Sequence, residues 1–163
     1  MNGSRGLKLD LACGTRAWTP SSARMERWAA AALGRRGAGR EIAVRIVKAD
    51  ESRELNKLWR GKDKPTNVLS FPIGAWHGNP GRSGRRTRDV RLPLGDLVIC
   101  AEVVRREAER DGKKIEAHWA HMIVHGALHL VGYDHERGEP DRKKMERREI
   151  AVLKGFGFGN PYT

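Results

Sequence analysis

Residues 125–135 read His-Gly-Ala-Leu-His-Leu-Val-Gly-Tyr-Asp-His, and the three imidazoles are spaced to meet at one metal ion. Positions four apart on a helix share a face, with Cβ atoms about 5–6 Å apart. His125 and His129 can therefore each offer a ring nitrogen at the ~2.0–2.1 Å that zinc requires. His121 lies on the same stripe, but it is two turns, about 12 Å along the axis, from His129. A third ligand must come from chain that turns back. Gly132 supplies the turn, because glycine readily adopts the left-handed conformation that ends a helix, and His135 follows three residues later. Three histidines leave the fourth tetrahedral position to water, the pattern of a catalytic rather than a structural zinc. The bland alternative is a set of core histidines with ordinary partners, and a glycine break followed by a third histidine argues against it.

The element carrying these residues has to be a buried helix. Over 115–131 the chain supplies Ala117, Trp119, Ala120, Met122, Ile123, Val124, Ala127, Leu128, Leu130 and Val131, which leaves almost no polar face. A helix apolar all round is buried on most sides, and unpartnered imidazoles within it are costly. Around it the pattern predicts strands at 7–12 (at an edge), 41–48, 66–71 and 96–100. Helices are expected at 21–33, with Pro20 in the first turn, at 51–59 with Asp50 as N-cap, at 101–110 and at 139–153. Residues 73–91 read as a long loop rich in glycine and arginine. Interleaved strands and helices without a repeat or a dividing linker predict an α+β or mixed α/β fold. A single domain spanning 1–163 is expected.

Composition sets the partners. Thirty-two Lys and Arg against twenty Asp and Glu give a formal charge of +12, a field that attracts polyanions; nucleic acid is the obvious one. A basic but uncommitted surface is the alternative. Cys13 and Cys100 both sit in apolar stretches and read as small buried hydrophobes, and unpaired thiols suit a reducing compartment. No signal-type apolar core follows the first residues and no stretch approaches a membrane span of about 20 residues. A cytoplasmic protein with no membrane partner is expected.

The same histidine spacing occurs in metzincin proteases, but Gly126 stands where their glutamate acts as general base, so peptidase chemistry is not expected. The whole segment instead resembles the YbeY family, whose signature is His-Gly-x-Leu-His-Leu-x-Gly-Tyr-Asp-His. It matches at His125, Gly126, Leu128, His129, Leu130, Gly132, Tyr133, Asp134 and His135. Further agreement comes from Leu55-Asn56, Arg60, the run 65–72 (Pro-Thr-Asn-Val-Leu-Ser-Phe-Pro), the run 94–100 (Leu-Gly-Asp-Leu-Val-Ile-Cys) and the ending 157–162. The resemblance implies an α+β fold, with a small four-stranded mixed sheet packed with helices around a central histidine-bearing helix, and a single-strand-specific endoribonuclease. Such enzymes act in 16S rRNA 3′-end maturation and ribosome quality control, with small-subunit ribosomal proteins and an Era-type GTPase as partners. It also implies one Zn2+ on the three histidines and a functional cation at Arg60, which taken by itself reads as an ordinary surface arginine. The loop at 73–91 departs from the family pattern in its length and arginine content.

Chemistry follows from these parts. An open-sited zinc polarises a phosphoryl oxygen, and the guanidinium fork of Arg60 matches phosphate oxygens. Asp134 and His121 are candidates for supporting positions around the metal ligands, with Asp96 a lesser one; no general base can be named. Arg82, Arg85, Arg86 and Arg88 could grip a single strand by its phosphates, or form a solvated tip. His118 and Trp119 read as packing. The competing function is a ribosome-assembly factor that binds rRNA and protein, its metal mainly structural.

Overall fold

The computed structural model describes residues 6–74 and 91–163. Four strands form one sheet: β1 (Lys8–Cys13), β2 (Arg40–Val47), β3 (Val68–Pro72) and β4 (Leu92–Cys100), in the order β1-β2-β4-β3. β1 and β4 flank β2 in parallel, and β3 closes the far edge antiparallel to β4. The helices are α1 (Ser22–Leu33), α2 (Ala49–Arg60), α3 (Ala101–Arg110), α4 (Ile115–Leu130) and α5 (Glu139–Gly155). This is the α+β fold with a four-stranded mixed sheet that the family resemblance implies, and it resolves the choice that the patterning leaves open.

Strand alternation sorts side chains onto two faces. Ile42, Val44, Ile46, Leu97 and Ile99 point to the side where α1, α4 and α5 pack, with Met25, Trp28, Trp119, Ile123, Leu128, Met145 and Leu153. Val47, Leu69, Phe71 and Val98 point to the other side, where Leu55 of α2 covers them. Of the sixteen residues of α4, eleven are buried, so the helix does run through the core. Gly126 explains how it lies so near the sheet: a Cβ there would come within 2.9 Å of the Leu97 side chain. A glutamate at this position would have to push the Leu97 side chain aside.

Gly95 makes a second close approach. Leu94 is an extra residue where the β2–β4 register shifts, and Gly95 follows with φ +146° and a would-be Cβ 2.3 Å from the Phe71 carbonyl oxygen. Only glycine meets both conditions, because other residues rarely adopt that backbone conformation. The bare Cα of Gly95 lets β3 pair closely with β4, and β3 forms one wall of the cleft described below.

Four expectations change. Pro20 stands before the helix rather than in its first turn: Ser21 is the N-cap, its hydroxyl accepting the Arg24 N–H at 3.2 Å. α2 starts at Ala49, so Asp50 lies in the first turn, where its carboxylate accepts the Glu51 N–H at 3.0 Å and still faces the positive end of the helix. Cys13 is exposed at the end of the edge strand, whereas Cys100 is buried and burial raises its thiol pKa. β4 also begins four residues before the expected 96.

Candidate metal centre

α4 ends in a turn that explains how the third histidine arrives. The Gly132 N–H donates to the His129 carbonyl at 3.2 Å and the Tyr133 N–H to the Leu128 carbonyl at 3.1 Å, with Gly132 at φ +99°. This paired closure of the last carbonyls reverses the chain. Asp134 then fixes the loop, accepting the Glu136 N–H at 2.8 Å and the Arg137 Nε–H at 3.3 Å. Those two donors hold its carboxyl below the ordinary carboxylate range, the backbone N–H contributing most.

The result is a convergence of three ring nitrogens. Nε2 of His129 lies 3.1 Å from Nε2 of His125 and 3.1 Å from Nδ1 of His135. Nitrogens bound tetrahedrally at ~2.0–2.1 Å from one zinc would lie about 3.3 Å apart, so the spacing suits an ion. Burial, then the neighbouring His125 and His135, push the His129 pKa down to about 4, which leaves that imidazole neutral and able to ligate near pH 7.

Proton placement supports the same reading. Nδ1 of His125 sits 2.5 Å from Oε2 of Glu149, whose side chain is 0% exposed. An ionised carboxylate only accepts, so the His125 proton belongs on Nδ1 and Nε2 keeps a lone pair. A single proton on His129 Nε2 could not satisfy both of its neighbours. A cation can. Burial raises the Glu149 pKa, but hydrogen bonds from His121, His125 and Tyr162 outweigh it and hold the carboxyl at about 2.

A cleft of about 740 Å³ opens over the triad, walled by the end of α2, by β3 and by the loop after α4. Arg60, Lys62, Lys64 and Arg137 give it a cationic lining, with Trp59 alongside. The segment carrying the lysines is pinned from α2. Buried Ser52 exchanges two hydrogen bonds with Thr66 at 3.0 and 3.1 Å, and Asn56 donates to the Lys64 carbonyl at 2.8 Å. Arg60, the last residue of α2, pairs with Glu136 at 2.5 Å, and that hydrogen bond lowers the Glu136 pKa. The same Glu136 oxygen is 4.0 Å from Nε2 of His135. Arg60 therefore stands at the rim of the triad.

The sequence model described as Endoribonuclease YbeY matches residues 16–157 of this chain. The chain belongs to the YbeY endoribonuclease family. Among its YbeY relatives, the chain is 53% identical over 143 residues to the protein named Endoribonuclease YbeY of Methylococcus capsulatus, covering 88% of this chain and 87% of that one. The solution structure of TM1509 from Thermotoga maritima superimposes with a TM-score of 0.56 at 25% identity, over 90% of this chain and 87% of that one. YbeY membership carries metal-dependent nuclease chemistry and rRNA processing as the family's work, and the His125, His129 and His135 cluster is compatible with metal binding.

The remaining expected residues fall in different places. His121 lies behind His125, with Nε2 3.4 Å from Glu149 and 3.3 Å from the Tyr162 hydroxyl; burial lowers its pKa and keeps it neutral. His118 contacts Glu107 at 2.8 Å, and Glu107 also accepts from Asn67 at 3.0 Å. Trp119 is fully buried. Asp96 shares the Val98 face of β4, on the other side of the sheet from α4. Arg82, Arg85, Arg86 and Arg88 lie outside the described residues.

Glu149 and Tyr162 are the site residues that sequence reasoning missed. A second group that could hold an ion, His121, His125 and Glu149, includes one of them. Its atoms already bond to one another and to Tyr162 in the interior, so it reads as support for the triad. One signal for Glu149 was available: with Met145, Val152 and Leu153 it falls on the buried stripe of α5. A carboxylate on an apolar stripe needs a partner.

Proposed function

We propose that this chain is a zinc-dependent, single-strand-specific endoribonuclease that acts in 16S rRNA 3′-end maturation and ribosome quality control. The observation that carries the proposal is the convergence of His125, His129 and His135 at the floor of an open cationic cleft. No fourth His, Cys, Asp or Glu joins that triad among the described residues, whereas a structural zinc is commonly closed by four protein ligands. Zinc is the natural ion for an all-imidazole set, though other divalent ions also accept one. When bound, it supplies Lewis-acid polarisation of a phosphoryl oxygen.

The chain's own residues do the rest. Lys62, Lys64 and Arg137 draw the RNA backbone into the cleft by charge. Arg60 exchanges Glu136 for a non-bridging phosphate oxygen and donates to it as negative charge develops at phosphorus. Either water or the RNA's own 2′-hydroxyl can serve as nucleophile in such a site. Arg82, Arg85, Arg86 and Arg88 extend the grip along the strand. On this reading the whole chain is one domain and works in the cytoplasm with the small ribosomal subunit, its proteins and an Era-type GTPase. No helix among the described residues is long and apolar enough to cross a membrane.

The test is cleavage of an RNA copying the 3′ end of 16S rRNA, alone and annealed to its complement, by zinc-loaded protein. Cutting of the unpaired strand with the duplex spared is the expected result. Equal cutting of both, or no cutting with zinc bound, would overturn the proposal.

A further inference from the structure

Glu149 is a fully buried carboxylate, and burying such a group is costly unless its partners repay it; replacing buried ionic groups by apolar ones is often neutral or stabilising. The fold of α5 does not require it, since Met145, Val152 and Leu153 already anchor that helix. Its two oxygens are divided between two tasks. Oε2 takes the His125 Nδ1–H at 2.5 Å. Oε1 takes the Tyr162 hydroxyl proton in a very short contact and lies 3.4 Å from His121 Nε2. Tyr162 comes from the chain's last segment, where its own N–H donates to Asn160 Oδ1 at 2.8 Å, and its ring stands edge-on to His121 at 5.3 Å.

We infer that Glu149 is the positioning residue for the metal ligand His125, and that Tyr162 and His121 hold Glu149 in place for that task. The mechanism is geometric. Because the carboxylate only accepts, it fixes the proton of His125 on Nδ1 and the lone pair on Nε2, and it sets the plane of the ring. Nε2 is then aimed at the point shared with His129 and His135. The tyrosine hydroxyl and His121 occupy the other carboxylate oxygen, so the carboxylate cannot rotate away without losing both. The C-terminal segment is by this account part of the metal centre.

This inference rests on the metal reading above, so the experiment has one arm that needs no metal. In the zinc-free full-length protein, long-range 1H–15N correlation spectra report which ring nitrogen of His125 carries the proton. Wild type should show the Nδ1–H tautomer, and Glu149→Gln should show a mixture or the other tautomer. In the second arm, zinc affinity is measured by competition with a chromophoric chelator. Glu149→Gln should bind about 10–100-fold more weakly, and Tyr162→Phe should lose less, in the same direction. Tyr162 is 46% exposed, so its phenylalanine variant keeps the fold if Glu149→Gln does not, and its tautomer spectrum and affinity then decide. An unchanged tautomer and unchanged zinc affinity in the folded variants overturns the inference. Failure of wild type to bind zinc, with the tautomer shift still present, overturns the metal reading and leaves the positioning role standing.

Discussion

Replacing His129 with alanine should remove zinc from the chain and slow cleavage of single-stranded RNA by at least about a thousandfold. His129 is the hinge of the triad, because its Nε2 is within 3.1 Å of both other ligand nitrogens. Without it His125 and His135 remain as a pair, too few to hold an ion against water. Metal polarisation of phosphoryl oxygen is worth several kcal/mol, and each ~1.4 kcal/mol is a factor of ten in rate. The fold should survive: His129 lies partly exposed in the last turn of α4, and alanine favours helix. Metal content, circular dichroism and RNA cleavage, measured on one preparation, decide between the two functions raised by the sequence. Lost cleavage in a folded, zinc-free variant supports the nuclease. A variant that unfolds on losing its metal supports the assembly factor with a structural ion.

Arg60→Ala should lower kcat by about 10²–10³ with zinc content unchanged. That magnitude is typical when one donor to developing transition-state charge is removed. Arg60 is suited to the role because it stands at the rim of the triad, its guanidinium held ready by Glu136 at 2.5 Å. Arg60→Lys keeps the charge but loses the planar fork that matches two phosphate oxygens, so it should recover only part of the rate. Steady-state kinetics on an unpaired RNA separate this from a binding effect: a fall confined to KM would place Arg60 in substrate capture alone. Full activity of Arg60→Ala would remove it from the mechanism.

The parts of the site readable in the sequence are those whose geometry is local. His125 and His129 are one helical turn apart and Gly132 breaks the helix before His135, so spacing alone brings them together. The apolar character of α4 likewise announces its central place, and alternation in β2 and β4 announces the sheet. Glu149 escaped because it reaches His125 from α5, in a stretch where Glu146, Arg147 and Arg148 disguise one buried carboxylate as surface charge. Tyr162 escaped for a related reason, since only the packed fold returns the chain end to His121. Arg60 was legible through resemblance alone: nothing in its neighbours reveals that the end of α2 borders the loop after α4. Gly126 and Gly95 are visible as motif letters, but the contacts that require them, against Leu97 and against the Phe71 carbonyl, exist only in three dimensions.

X-ray absorption at the zinc edge of the loaded full-length protein reads the inner coordination shell directly. One ion per chain with three imidazole nitrogens at about 2.0–2.1 Å and no sulfur is the predicted shell, with one imidazole fewer in any ion retained by His135→Ala. A sulfur neighbour near 2.3 Å, or a shell of oxygens alone, would mean that the metal sits elsewhere and that the three histidines do not form its site.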